Sequence, residues 1–343
     1  MKNISFLNVT KWGVAHLVGG DESLKRFNLC CSVVNFIMKR ELPMCIQEVP
    51  QEAVIGTEYY QACAVEDSEE VKPHLSKSQM DKYLTCPRSH YFNNIMQIKP
   101  VRTPTNLLFG WVTHRGIAAH YLARKNNEVC SLTQAIDEIW TPEITNQTPE
   151  TTKELLAARN ASYDYVSLFL REVDCDPVHV ETSFEIPIVN IDNGDTLPCT
   201  LVGIADLVDM QGDTPRPIEI KTRASKAPEY LPSLSLELTC YAYWIWLQDQ
   251  HSGNIPVGYI HIIKTKTPYI QRQEGFRDMD DFIDLFHTAK NVYDSISEGR
   301  IHKSEGMQCS WCDYLPICSR DMAETKATFG YDNYHKLWEA EFI

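Results

Sequence analysis

Apolar residues change their period about halfway along this chain. From Ser76 to about residue 170 they recur every three or four positions, and from about 180 to 264 they alternate or form short apolar blocks. The first pattern predicts helices. Ser76-Lys-Ser-Gln-Met-Asp opens one, with Ser76 or Ser78 as N-cap, and it closes near Cys86-Pro87. A second covers about 106 to 125. Thr148-Pro149-Glu150 reads as N-cap, N1 proline and first-turn acid of a third, whose Leu155, Ala158, Ser162, Tyr165 and Phe169 keep helical spacing. The second pattern predicts strands at 180–189, 197–210, 216–222 and 257–264. Between the last two, Leu236, Cys240, Tyr243 and Leu247 return to helical spacing, and a final helix fits about 280 to 298. Helices, three strands, a helix, a strand and a helix make an α/β chain, with no internal repeat.

Composition narrows the class. With 343 residues, 43% hydrophobic and 23% charged, the chain can bury a large core in one domain or two. Acidic residues Glu66, Asp67, Glu69 and Glu70 before Pro73 mark a boundary. They set off an N-terminal segment, 1–72, from a main domain, 73–320, with a tail at 321–343. The first 20 residues lack a signal-peptide layout, and the apolar run near Cys30–Met38 is too short to span a bilayer. The expectation is a cytoplasmic chain with no membrane partner. In a reducing compartment its 12 cysteines read as thiols and metal ligands. Net charge is 32 − 46 = −14, which argues against a protein that coats nucleic acid through basic residues. It does not exclude a nuclease, because metals and a local basic groove can hold phosphate.

The chemistry concentrates in a few segments. Asp206 follows Gly203, and Glu219 precedes Lys221 by two positions. Alternate residues of a strand share a face, so Glu219 and Lys221 point one way while Ile218 and Ile220 bury on the other. A hairpin of the two strands would set Asp206 beside Glu219. Carboxylates so close call for a cation, and hard oxygen ligands select Mg2+ or Mn2+. Lys221 could then orient a water and stabilise charge on phosphate. His114 lies on the second helix, with His120 as a competitor. Glu237 and Tyr241, at i and i+4, share one helix face. Cys309-x2-Cys312-x5-Cys318 is a chelating pattern for zinc or an iron–sulfur cluster. Its fourth ligand must come from elsewhere. Cys86 is the best candidate, and His302 and the other cysteines are alternatives. Cys30, Cys31, Cys45 and Cys63 fit no metal spacing.

From Ser76 to Ser319 these motifs resemble the RecB/AddB-type branch of the PD-(D/E)xK nucleases, which includes the CRISPR-associated iron–sulfur exonucleases. Ser78, Tyr83-Leu-x-Cys86-Pro87 and Tyr91-Phe92 resemble the family's opening, and Gly110-x3-His114 its first motif. Gly203-x2-Asp206 resembles the second and Glu219-x-Lys221 the third. The resemblance implies a restriction-endonuclease-like core: a central mixed sheet flanked by helices, with helical insertions. His114, Asp206, Glu219 and the Ile220 carbonyl would hold the metal, and Lys221 would position the attacking water. Glu237 and Tyr241 would line the strand path. Cys86, Cys309, Cys312 and Cys318 would carry a [4Fe-4S] cluster, with zinc as the alternative. The implied activity is exonucleolytic hydrolysis of DNA, single-stranded by expectation, in replication, recombination or repair, with a helicase or recombination protein as the implied partner. A structure-specific endonuclease and a non-catalytic DNA-binding assembly module are the rivals. Two features depart from the family. Glu237 stands where Gln is usual, and the stretch from His114 to Asp206 is longer than in compact members.

Overall fold

The computed structural model describes residues 73–141, 145, 148, 151–249, 253–340 and 342. The N-terminal segment 1–72 lies outside the described residues. Six strands form one mixed sheet. β1 (His74–Ser76) leads into α1 (Lys77–Thr85) and α2 (Pro87–His90), followed by α3 (Thr105–Lys125), α4 (Leu132–Ile139) and α5 (Thr152–Glu172). Then come β2 (His179–Val189), β3 (Thr196–Gln211), β4 (Thr214–Arg223), α6 (Leu236–Asp249), β5 (Ile255–Ile263), β6 (Tyr269–Arg277) and α7 (Met279–Ser297). Two helices close the chain, α8 (Leu315–Ser319) and α9 (Met322–Glu339). The sheet order is β1-β3-β4-β5-β6, and β2 also pairs with β3. β4 and β5 are parallel, as an α6 crossover requires. β1 also runs parallel to β3, and the remaining pairs are antiparallel.

Each face of the sheet buries one set of helices. Leu238, Tyr243, Trp244 and Ile245 of α6 and Phe282, Phe286, Ala289 and Val292 of α7 pack with Ala205, Val208 and Val257. Ile117 and Tyr121 of α3 and Val166 and Phe169 of α5 pack with Leu207, Ile218, Ile220, Ile260 and Ile262. The expected α/β class with a central mixed sheet is therefore present. The strand side chains explain the division, because Ile218 and Ile220 go to α3 and α5 while Glu219 and Lys221 take the other face. Among the described residues no helix is long and apolar enough to cross a membrane.

Several boundaries differ from the pattern-based expectation. α5 starts at Thr152, not just after Thr148: the Thr151 side chain accepts from the Glu154 amide while Glu154 reaches back, a capping box that fixes the start there. β1, β6, α4 and α9 had no counterpart among the expected elements. The 321–343 tail is largely α9, and its Phe329 and Leu337 share an apolar cluster with Phe92, Ile98, Tyr314 and Ile317.

Candidate active site

β3 changes partner along its length, and the site lies in the change. Residues 200–202 of β3 pair with β1, and residues 207–211 pair with β4. The β3–β4 ladder reaches Leu207↔Ile218, and Asp206 and Glu219 stand one step beyond it. Past that point side chains take over from backbone pairing. Asp206 Oδ2 accepts from the Ile220 amide at 2.8 Å, and Tyr241 Oη donates to the Ile204 carbonyl at 2.8 Å. The hairpin reading of Asp206 and Glu219 is thus realised at the mouth of a split between strands. Gly203 serves the same strand: a Cβ there would lie 2.5 Å from the Phe184 ring, which stacks on Trp244 with centroids 5.0 Å apart.

His114 reaches the split from α3, its Nδ1 3.2 Å from Asp206 Oδ1. Glu181 of β2 is the residue that motif reading missed. His114, Glu181 and Asp206 each offer one ligand atom, and these atoms all lie within 4.8 Å of one another. Glu181 carries no spacing signal, because it sits alone in β2 and reaches Asp206 through strand pairing. Its backbone is distinctive, with φ at 45° inside a strand. A non-glycine residue held there costs about 1–3 kcal/mol and is typical of functional positions.

The electrostatics are those of a crowded anionic site. Burial raises the Glu219 carboxyl, Asp206 and Glu237 add to the rise, and it lies well above the usual range despite Lys221. Burial also raises Glu181, to about 7, with Asp206 contributing. Asp206 is lowered: burial opposes its charge, but His114, the Ile220 amide and Lys221 outweigh burial. His114 is raised to about 9, because Asp206 and Glu219 overcome the burial penalty. Two carboxylates and an imidazole gathered within 4.8 Å, with Glu219 one step past the β3–β4 ladder beside them, fit a divalent cation, the oxygen donors and one nitrogen suiting Mg2+ or Mn2+.

The remaining groups order the far side of Glu219. Lys221 Nζ contacts Glu219 Oε1 and lies 3.1 Å from Glu237 Oε2. Tyr241 Oη also lies 3.0 Å from Glu219 Oε2, so its one proton is shared between that carboxyl and the Ile204 carbonyl. Tyr241 is buried and spends its hydroxyl on Glu219 and Ile204, so it braces the site and does not offer an open stacking face for a strand. Glu237, 9% exposed, is likewise enclosed between lysines. Ile220 directs its side chain into the core, and its amide is the group that meets Asp206. His120 lies elsewhere, in a concavity with Arg124 and Cys175. Of the opening motif's aromatics, Phe92 is fully buried and Tyr91 packs on Phe342.

Cys86 caps the end of α1, Cys309 and Cys312 lie in and just after a 3-10 turn, and Cys318 is in α8. All four are free, half-buried thiols. Backbone and side-chain bonds join the two segments: the Arg88 amide donates to His302 O at 3.1 Å and Arg88 Nε to Ile301 O at 3.2 Å, while Lys303 Nζ donates to Cys318 O at 3.2 Å within the second. Burial raises the Cys312 and Cys318 thiols, and Cys86 contributes to both. The His302 side chain is exposed. Among the described residues no three of these thiols are gathered within the 4.8 Å that the His114 group achieves.

The PD-(D/E)XK nuclease superfamily model matches residues 74–319. No curated protein matches the sequence. Among solved structures, a Eubacterium rectale protein described as a "putative exonuclease" is similar at 10% identity and a TM-score of 0.45, over 78% of this chain and 93% of that one.

Proposed function

Because this chain belongs to the PD-(D/E)XK nuclease superfamily, we propose that it is a metal-dependent DNA exonuclease of the RecB/AddB-like branch, acting on single strands in replication, recombination or repair. The observation that carries the reading is the convergence of His114, Glu181 and Asp206 at the β3–β4 split, with Glu219 one step past the ladder and Lys221 against it. His114 and the three carboxylates would hold Mg2+ or Mn2+. The bound metal supplies a Lewis acid and lowers the pKa of water. Lys221 keeps its proton, since Glu219 and Glu237 overcome burial and raise it, so it serves as a fixed cation toward the phosphate and the attacking water. Tyr241 sets the Glu219 rotamer from the other side.

In the same reading Cys86, Cys309, Cys312 and Cys318 hold a [4Fe-4S] cluster. The Arg88 bonds that dock the Cys86 segment on the 301–318 segment support this assignment.

The test uses anaerobically purified protein with Mg2+ or Mn2+ on linear single strands labelled at the 5′ or 3′ end, on strands blocked at both ends, and on closed single-stranded circles. Open linear strands should be degraded and the other two spared. The Glu219→Ala protein should lose on the order of 100-fold or more in rate, the scale of deleting one preorganised electrostatic group. Cutting of circles or blocked strands would replace exonuclease with structure-specific endonuclease. Near-wild-type cleavage by Glu219→Ala would sink the site.

A further inference from the structure

Lys77 has no part in the motifs, yet the fold delivers it to the active site. β1 pairs with β3 in the register Ser76↔Val202, immediately before the Gly203–Asp206 stretch. Lys77, the first residue of α1, is therefore fixed beside the split. Its Nζ lies 3.5 Å from Glu237 Oε1 and 2.9 Å from Asp81 Oδ2. Glu237 Oε2 in turn lies 3.1 Å from Lys221 Nζ. The result is a chain of alternating charge: Asp81, Lys77, Glu237, Lys221, Glu219.

Glu237 adds a fourth carboxylate to a site that already has Glu181, Asp206 and Glu219. An amide at that position would carry no charge and exert no comparable pull on an ammonium. The carboxylate competes with Glu219 for Lys221, and the competition is strong because Glu237 is 9% exposed. Lys77 is the second cation on Glu237. By sharing that charge it leaves Lys221 free to remain on Glu219.

We propose that Lys77 is a positioning residue that balances Glu237 and so keeps Lys221 directed at Glu219 and the reacting phosphate. This rests on the nuclease reading above. Without Lys77, Glu237 retains Lys221 as its one close cation among the described residues and draws it away from Glu219.

The experiment compares Lys77→Met, Lys77→Arg, Glu237→Gln and the Lys77→Met/Glu237→Gln double variant. Steady-state cleavage of the linear single strand is measured, and Mn2+ binding is followed by titration calorimetry. Lys77→Met should lower kcat on the order of tenfold, the scale of one charged hydrogen bond, with KM and Mn2+ affinity within about twofold. Lys77→Arg should keep most of the rate. Once Glu237 is neutral, removing Lys77 should cost little, so the double variant should match Glu237→Gln within about twofold. An active wild type whose kcat is unmoved by Lys77→Met overturns the proposal. So does a Lys77→Met loss that persists undiminished in the Glu237→Gln background, or one that comes with loss of Mn2+ binding. A wild type inactive on every DNA strand overturns the nuclease reading itself, and this inference with it.

Discussion

His114 carries a proton that a metal ion would have to displace. His114 titrates at about 9 because Asp206 and Glu219 favour its cation against burial. Burial, with Asp206 and Glu237 adding to it, raises the Glu219 carboxyl. A metal competes only with the deprotonated forms, so binding releases protons and strengthens with pH. Mn2+ affinity should climb from pH 6 to about 9 and level off above His114's value, whereas an unperturbed histidine would let it level off near its reference pKa of about 6.5. Calorimetry in buffers of different ionisation enthalpy measures the released protons directly; a flat profile above neutrality would remove His114 from the ligand set. At this scale much of the site was legible. Asp206, Glu219 and Lys221 announce themselves by spacing on strands that must alternate. Glu181 does not, since its signal is a backbone angle and a partner across the sheet, and neither is written in its neighbours. The placing of Glu237 between two lysines was equally hidden, because Lys77 lies 160 residues away in sequence.

Among the elements, β2 to β5, α3, α5, α6 and α7 could be read because their apolar positions repeat with the right period. β6 escaped because its buried positions are polar. It reads Tyr-Ile-Gln-Arg-Gln-Glu-Gly-Phe-Arg, and two of its enclosed side chains are Gln273 and Arg277. Arg277, 2% exposed, donates Nε to Thr239 Oγ1 at 2.7 Å and Nη2 to Pro232 O at 2.6 Å and Ser235 O at 3.1 Å. The strand's polar interior is therefore a clamp on the turn that starts α6, and α6 carries Glu237 and Tyr241. Arg277→Met should orphan these acceptors and cost about 2–4 kcal/mol of stability, read as a lower urea midpoint. Arg277→Lys should recover only part, since a lysine cannot fork to Thr239 and two carbonyls at once. A midpoint unchanged by Arg277→Met would show the clamp to be idle.

For the molecule as a whole, periodicity could suggest class and element order but not strand order, which depends on pairings far apart in sequence. The cysteine segments are the extreme case, with Cys86 and Cys309 separated by 223 residues. A metal centre joining them would close a loop that the chain-entropy model values at about 5 kcal/mol. Cys86→Ala and Cys312→Ala should therefore give aggregated or colourless protein, while Cys130→Ala should purify normally. Iron and sulfide analysis with the visible spectrum checks this, and a colourless active protein with one zinc would keep the staple but not the iron. The pairing of β1 with β3 has a further consequence, in the order of synthesis. His74 meets Thr200, and β4 needs β5, which follows α6. A nascent chain halted after β4 already contains His114, Glu181, Asp206, Glu219 and Lys221. It lacks Glu237, Tyr241 and the neighbour that completes β4. Contacts this distant form late, so translation itself withholds the working centre, and a prematurely terminated product carries the ligands without the arrangement that would make them cut.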